Sequence, residues 1–211
     1  MKLNRDEIYL LDSGGQYLDG TTDITRTTHF GGKEPTAFQK EAYTRVLLGN
    51  LDLERVVWPS DSTYAGADMD VLARKSLWEI GLDYKHGTGH GVGTYLNVHE
   101  GPIGISRGYK TKLVEGHCVS DEPGFYQGGE FGIRIENVIM VQKHPEHENF
   151  FKFENLTVAP YARQLIDLDL LSPRDVRYID AYHQRCLKEL TPYLEDDEVT
   201  LAYVQKACAP L

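Results

Sequence analysis

The sequence predicts an α+β fold in which two β-hairpins, related by a pseudo-twofold repeat, are flanked by helices. Three observations predict it. Residues 8–30 and 117–141 each read as strand, glycine-rich turn, strand. Each unit ends its first strand on an acid and carries a second acid inside its second strand, Asp12 with Asp23 and Glu122 with Glu136. Apolar residues at helical spacing follow each unit, so the chain reads as a faint internal duplication whose halves face a common site.

Taken in order, Ile8-Tyr-Leu-Leu11 opens a strand expected over 8–13. A turn over 14–20 and a Thr-dense strand over 21–30 follow, since β-branched side chains pack well on a pleated surface. Glu34-Pro35-Thr36 starts a helix expected to run to about 57 with a break near Gly49, and Trp58-Pro59-Ser60 ends it. Over 67–80, Met69, Leu72, Ala73, Ser76, Leu77 and Ile80 share one helical face, closed by Gly81. A polar loop is expected over 103–113, then strands over 117–123, 133–141 and 151–160, the first stopped by Pro123. Ser172-Pro173-Arg174-Asp175 combines an N-cap serine, proline at the first helical position and an acid three residues after the cap. That helix runs to about Leu190 on a stripe of Val176, Ile179, His183 and Cys186, and a last helix takes 196–207. No linker interrupts the chain. Residues 1–169 are therefore expected to form a core, with 170–211 a helical extension packed on the same domain.

With 211 residues, 41% hydrophobic and 26% charged, the chain is long enough for a substantial core and has the balance of a soluble globular protein. A net charge of -10 without any Lys/Arg run excludes the basic footprint of a nucleic-acid-binding surface. Cys118, Cys186 and Cys208 are widely spaced and in no CxxC pattern, which argues for a reduced compartment over a disulfide framework. No apolar run approaches the ~18 residues of a membrane span. The first residues lack an apolar signal core, so the expected location is the cytoplasm and the Asn155-Leu-Thr157 sequon carries no weight.

The chemistry concentrates in His86-Gly-Thr-Gly-His90-Gly-Val-Gly-Thr-Tyr-Leu-Asn-Val-His99-Glu100-Gly-Pro102. Alternate glycines let a backbone run against something bulky, and imidazoles are common metal ligands and proton carriers. The spacing is neither that of a phosphate loop nor Gly-x-Gly-x-x-Gly. A Gly-rich turn with ordinary surface histidines would look similar, and the flanking acids decide between the two. Hairpin pairing brings Asp12 to Asp23 and Glu122 to Glu136 on one sheet face. Two unpaired acids there would repel until one took a proton, a conflict a divalent cation removes. Four carboxylates and one imidazole make a mostly oxygen shell with room for two ions, closer to a Mn²⁺ site than to structural zinc. Arg134, two residues before Glu136, should share its face and orient a carboxylate, though a surface strand Arg would read the same way. His29, His117, His144, His147 and His183 are read as structural.

Asp12-Ser-Gly with Asp23, the His86–His90 and His99–Pro102 runs, Asp121-Glu122-Pro-Gly and Glu136-Asn together resemble the M24 "pita-bread" metallopeptidases. Within them the resemblance is greatest to the cytosolic Xaa-Pro aminopeptidases, and it extends from about Ile8 to Asp169. The resemblance implies a pita-bread fold and a dinuclear centre, typically Mn²⁺, held by Asp12, Asp23, His90, Glu122 and Glu136. Asp23 and Glu136 would bridge both ions, Asp12 would complete one, and His90 with Glu122 the other. It further implies that His86 and His99 contact the substrate and move protons; the chemistry of the residues adds Glu122 as a proton acceptor, and Arg134, from its strand position, is counted with the substrate-binding groups. The implied reaction removes an N-terminal residue that precedes proline, by attack of a metal-bridging hydroxide. The implied partners are peptides with proline second and a second copy of the chain.

Members of this family place other domains, and several elements of the peptidase domain, before the first metal aspartate. The chain is therefore expected to be a C-terminal fragment, incomplete at its N-terminus, with an uncovered apolar sheet face. Two other readings stand beside the aminopeptidase. One is a silent module that binds peptides or a partner chain. The other is the same fold turned to Xaa-Pro dipeptides or N-terminal methionine.

Overall fold

The computed structural model describes residues 2–61, 63–95 and 97–211, so Leu96 of the His/Gly stretch lies outside the described residues. β1 (Ile8–Gln16) pairs antiparallel with β2 (Thr21–His29) along its full length. The first strand is longer than its glycines suggest. Gly14 and Gly15 stay in the ladder opposite Asp23 and Thr22, the Gly15 amide donates to Thr22 Oγ1 at 3.0 Å, and only 17–20 turn.

Helix α1 (Ala37–Glu54) starts where expected, with Thr36 and Gln39 forming a reciprocal capping box. It does not break at Gly49. A Cβ there would stand 2.1 Å from the Ala73 carbonyl of α2 (Gly66–Trp78), so the glycine is a helix–helix contact point. Residues Val57–Pro59, expected only to end the helix, form the short strand β3.

A mixed-length antiparallel sheet of six strands carries the rest. Its order is β3, β10 (Phe150–Asn155), β9 (Asn137–Lys143), β6 (Cys118–Asp121), β4 (Gly89–Gly91) and β5 (Glu100–Ile105). Strand β5 replaces the start of the loop expected over 103–113. The strand expected over 117–123 stops at Asp121, the one expected over 133–141 is divided, and the glycine-rich segment between them, expected to be turn, carries strand pairing. β6 and β9 pair in the large sheet, while β7 (Gly124–Gln127) and β8 (Phe131–Arg134) form a separate two-stranded sheet. The division has a cause: Pro123 has no amide hydrogen to continue a ladder, and the hairpin bends there.

Helices α3 (Pro173–Leu190) and α4 (Glu198–Ala207) close the chain. Ile179 and Cys186 of α3 enter one apolar cluster with Val46, Leu47, Ile133 and Tyr161. A second cluster, with Leu53, Met69, Ala73, Ile105, Val119 and Ile139, fills the space between α2 and the large sheet. The predicted α+β class with helices packed on antiparallel sheets is the one observed.

Candidate metal centre

The two hairpins present their acids differently. Asp12 pairs with Thr25 and Asp23 with Gly14, so Asp12 and Asp23 are diagonal neighbours on one face. Asp121 pairs with Asn137 and Gly124 with Arg134, which places Glu122 directly opposite Glu136 in the break between the sheets. Freed from the ladder, the Glu122 amide donates to Thr88 O at 2.7 Å and the Glu136 amide to Thr25 O at 3.1 Å. Glu136 is thereby stitched to the first hairpin and Glu122 to the His/Gly segment.

His90 is the central residue of β4. A Cβ at Gly89 would lie 1.9 Å from the Ser120 carbonyl and one at Gly91 2.1 Å from the Glu100 carbonyl. Only glycine fits on either side. Its amide donates to Ser120 Oγ at 3.0 Å, and that hydroxyl donates to Glu122 Oε1 at 3.0 Å.

Asp12, Asp23, His90, His99, Glu122 and Glu136 all line one cavity of about 350 Å³. Among the described residues, Asp23, His90 and Glu136 offer ligand atoms within 4.8 Å of one another. His90 Nδ1 lies 2.9 Å from the Gly91 carbonyl, which can only accept, so Nδ1 carries the hydrogen. Nε2 then faces Glu122 Oε1 at 3.3 Å and Asp23 Oδ2 at 3.5 Å. Two acceptors converging on a ring nitrogen need a positive charge between them.

The titration behaviour says the same. Burial raises the Asp23 carboxyl, and the Asp12 and Glu122 charges add to it against His90. Burial pushes Glu136 up to about 8, helped by Glu122, Asp23 and Asp12 and opposed by the Thr25 hydroxyl, which donates to Oε2 at 2.6 Å. Burial disfavours charge on His90, yet Glu122, the Gly91 carbonyl and Asp23 outweigh it and raise its pKa. A proton is held where a cation would serve better. The donor set of carboxylates and one imidazole, and the crowding that only positive charge relieves, fit hard divalent cations.

His86 and Arg134 lie at the side of this cavity. Arg134 Nη2 donates to Asp12 Oδ2 at 2.5 Å, and its Nε donates to Thr25 Oγ1 at 3.0 Å and stands 4.0 Å from Glu122 Oε2. Its Nη1 donates to the Tyr126 hydroxyl at 3.0 Å, which lies 2.9 Å from His86 Nε2. The His99 ring sits 4.1 Å from that of His90, edge to face.

Sequence reading missed Tyr126, Thr25 and Arg26. Thr25 could have been found, since strand alternation puts it on the face of Asp23. Arg26 is half-buried and its hydrogen-bond partners are neutral: it donates to Glu136 O at 2.7 Å, Asn137 Oδ1 at 2.8 Å, Ala159 O at 2.8 Å and Tyr182 Oη at 3.0 Å. Nothing local marks it. His183, read as structural, is fully buried, accepts from the Tyr161 amide at 3.1 Å and is pushed down to about 4 by burial.

Comparison with known proteins places this geometry. Residues 1–143 match the model of metallopeptidase family M24, and residues 149–211 match the C-terminal region of peptidase M24. The chain belongs to metallopeptidase family M24. It is 50% identical over 211 residues to a probable Xaa-Pro aminopeptidase P of Leptosphaeria maculans, covering 96% of this chain and 34% of that protein. It is 49% identical to Xaa-Pro aminopeptidase 2 of Sus scrofa, covering 100% of this chain and 31% of the relative. The chain thus spans about a third of the length of these relatives. Among solved structures, X-prolyl aminopeptidase from Caenorhabditis elegans, described as a cytosolic enzyme with a di-nuclear active site, superposes with a TM-score of 0.91. The two are 38% identical over 98% of this chain and 34% of that one. Prolidase from Pyrococcus furiosus superposes at 0.61, with 30% identity over 72% of this chain and 41% of that one. The fold is the pita-bread fold of these peptidases.

Proposed function

We propose that this chain carries the dinuclear site of a metallo-aminopeptidase that removes an N-terminal residue followed by proline. The observation that carries the reading is the convergence of Asp12, Asp23, Glu122, Glu136 and His90 on one cavity, with His90 Nε2 aimed between two carboxylates. The relatives' names and the di-nuclear site of the nematode enzyme support it. In this reading Asp12, Asp23, His90, Glu122 and Glu136 would hold the two cations. The oxygen-rich donor set favours Mn²⁺. Two such cations would lower the pKa of water, supplying hydroxide for attack on the carbonyl before proline, and polarise that carbonyl.

The chain's own groups do the rest. The acidic cavity draws the substrate's α-ammonium, which favours attack at a free N-terminus. Proline offers no amide hydrogen, so a selective site needs contact with its ring, which His86, His99 and Tyr126 border. Glu122, with Oε1 held by Ser120, would take the proton that water loses in becoming hydroxide and return it to the leaving proline nitrogen. Arg134, fixed by Thr25 and Tyr126, holds Asp12 and faces substrate. We read 1–169 as the catalytic core and 170–211 as its helical extension. We place the protein in the cytoplasm as a homodimer; none of its described helices is long and apolar enough to cross a membrane.

The test is release of the first residue of an Xaa-Pro-Pro peptide by the purified chain, with Mn²⁺ and after chelation. Release that needs the metal is expected. Activity indifferent to chelation, or none from a chain loaded with two ions, would sink the reading.

A further inference from the structure

The segment that carries His86 belongs to no helix or strand: 82–88 leave α2 and enter β4 without a ladder partner. What fixes it is Arg74, a buried residue of α2. Its Nε donates to Asp70 Oδ2 at 2.8 Å, and Nη1 donates to Asp83 Oδ1 at 2.9 Å and the Tyr84 carbonyl at 2.8 Å. Its Nη2 donates to the carbonyl of His86 itself at 2.9 Å. The guanidinium lies over the Tyr84 ring at 3.9 Å, and the Tyr84 and His86 rings are 4.8 Å apart. One planar cation therefore holds His86 twice, through its backbone and through the tilted ring contact of Tyr84.

The other end of the segment is tied to the same pair. Thr88 Oγ1 donates to Asp70 Oδ1 at 2.5 Å and lies 2.5 Å from the Tyr84 hydroxyl, while Thr88 O receives the Glu122 amide. A helix-stabilising Asp70–Arg74 ion pair would need only one of these donors, and buried pairs add little net stability. Aiming two more at carbonyls that flank Lys85 fixes the loop.

We propose that Arg74 is a positioning residue for His86, acting through the Tyr84 and His86 carbonyls and the Tyr84 ring. The inference rests on the proposed aminopeptidase function for its kinetic consequence. His86 Nε2 meets the Tyr126 hydroxyl, which Arg134 links to Asp12, so a shift of the loop takes the ring out of line with the metal-side groups. Misplacement of about 1 Å at such a group costs about a hundredfold in rate.

The experiment is a double-mutant cycle on Xaa-Pro-Pro hydrolysis, together with His ring nitrogen NMR of the metal-free chain. Arg74→Met should lower kcat/KM about a hundredfold while cation stoichiometry stays that of wild type. In a His86→Ala background the same change should cost less than about twofold, because the group it positions is gone. Arg74→Lys keeps a charge beside Asp70, and so the fold, but cannot span both carbonyls. In that variant the His86 ring resonances, assigned by their loss in His86→Ala, should shift or broaden, with those of buried His183 unchanged. Equal losses in both backgrounds, or His86 resonances identical in wild type and Arg74→Lys, would overturn the proposal. If wild type shows no hydrolysis, the aminopeptidase reading fails, and the ring resonances still decide the role of Arg74.

Discussion

The first hairpin is an unbroken ladder, and the second is a ladder broken where its acids lie. In β1–β2 the acids sit within regular pairing, and Asp12 remains half exposed, held by a side-chain contact to Arg134. In β6–β9 and β7–β8 the acids occupy the gap between two sheets, and Glu136 is buried. The difference shows how a fold crowds carboxylates without scattering them. In the regular ladder an acid's side chain is fixed by the groups beside it, as Asp12 is by Arg134. A broken one frees the amides of Glu122 and Glu136 to bind Thr88 and Thr25, and these bonds join the second hairpin to the first and to the His/Gly segment. The duplication is of sequence pattern; the mechanical roles of its halves differ.

The contrast can be broken most severely at Glu136. Residues that merely support a metal site are worth about 10–100-fold in affinity, so Glu136→Ala should weaken cation binding beyond about 100-fold. Asp12→Asn, which keeps a neutral oxygen donor on the exposed side, should cost less than Glu136→Ala. Calorimetric titration of the two variants checks the order, and equal losses would erase the distinction between the hairpins.

A stability comparison comes next. A Cβ at Gly89 would meet the Ser120 carbonyl at 1.9 Å, and one at Gly14 the Thr22 carbonyl at 2.7 Å. Gly89→Ala should destabilise by about 3 kcal/mol and Gly14→Ala by about 1 kcal/mol, because the closer clash lies inside a six-stranded sheet and the looser one in a two-stranded hairpin. Denaturant unfolding without added metal measures both.

The pH effects have opposite signs in two places. Glu136, ordinarily near 4.5, is raised to about 8 by burial and its acidic neighbours. Between those values the folded chain holds a proton that the unfolded chain has lost, so metal-free stability falls as pH climbs through that window. Cation affinity rises through the same window and levels above about 8, because the ion displaces the proton. His183, ordinarily near 6.5, is lowered to about 4 by burial, so the unfolded chain binds its proton first and stability is lost as pH falls from 6.5 towards 4. His183→Gln should flatten the acid limb and leave the alkaline one intact, as read by thermal unfolding across pH.

The acid pairs, the glycine alternation around His90 and the capped helices were all legible, because each is written in local spacing. The sequence also marked Pro123, but as the end of a strand. That it divides one hairpin between two sheets depends on how β7 and β8 pack on α1, which no local pattern encodes. Gly49 was misread for the same reason: only the approach of α2 distinguishes a contact point from a helix break. Arg26 and Tyr126 were invisible, since a half-buried strand arginine with neutral partners and a tyrosine beside glycines acquire meaning only from partners more than thirty residues away in sequence, Glu136 for one and His86 for the other.

The measurement that tests the central claim most directly is a calorimetric Mn²⁺ titration of the purified chain beside its Glu136→Ala variant. If the two hairpins and His90 together build a dinuclear centre, wild type takes up two ions per chain and the variant none. A wild-type chain that binds one ion or none, or a variant that keeps two, would contradict the account.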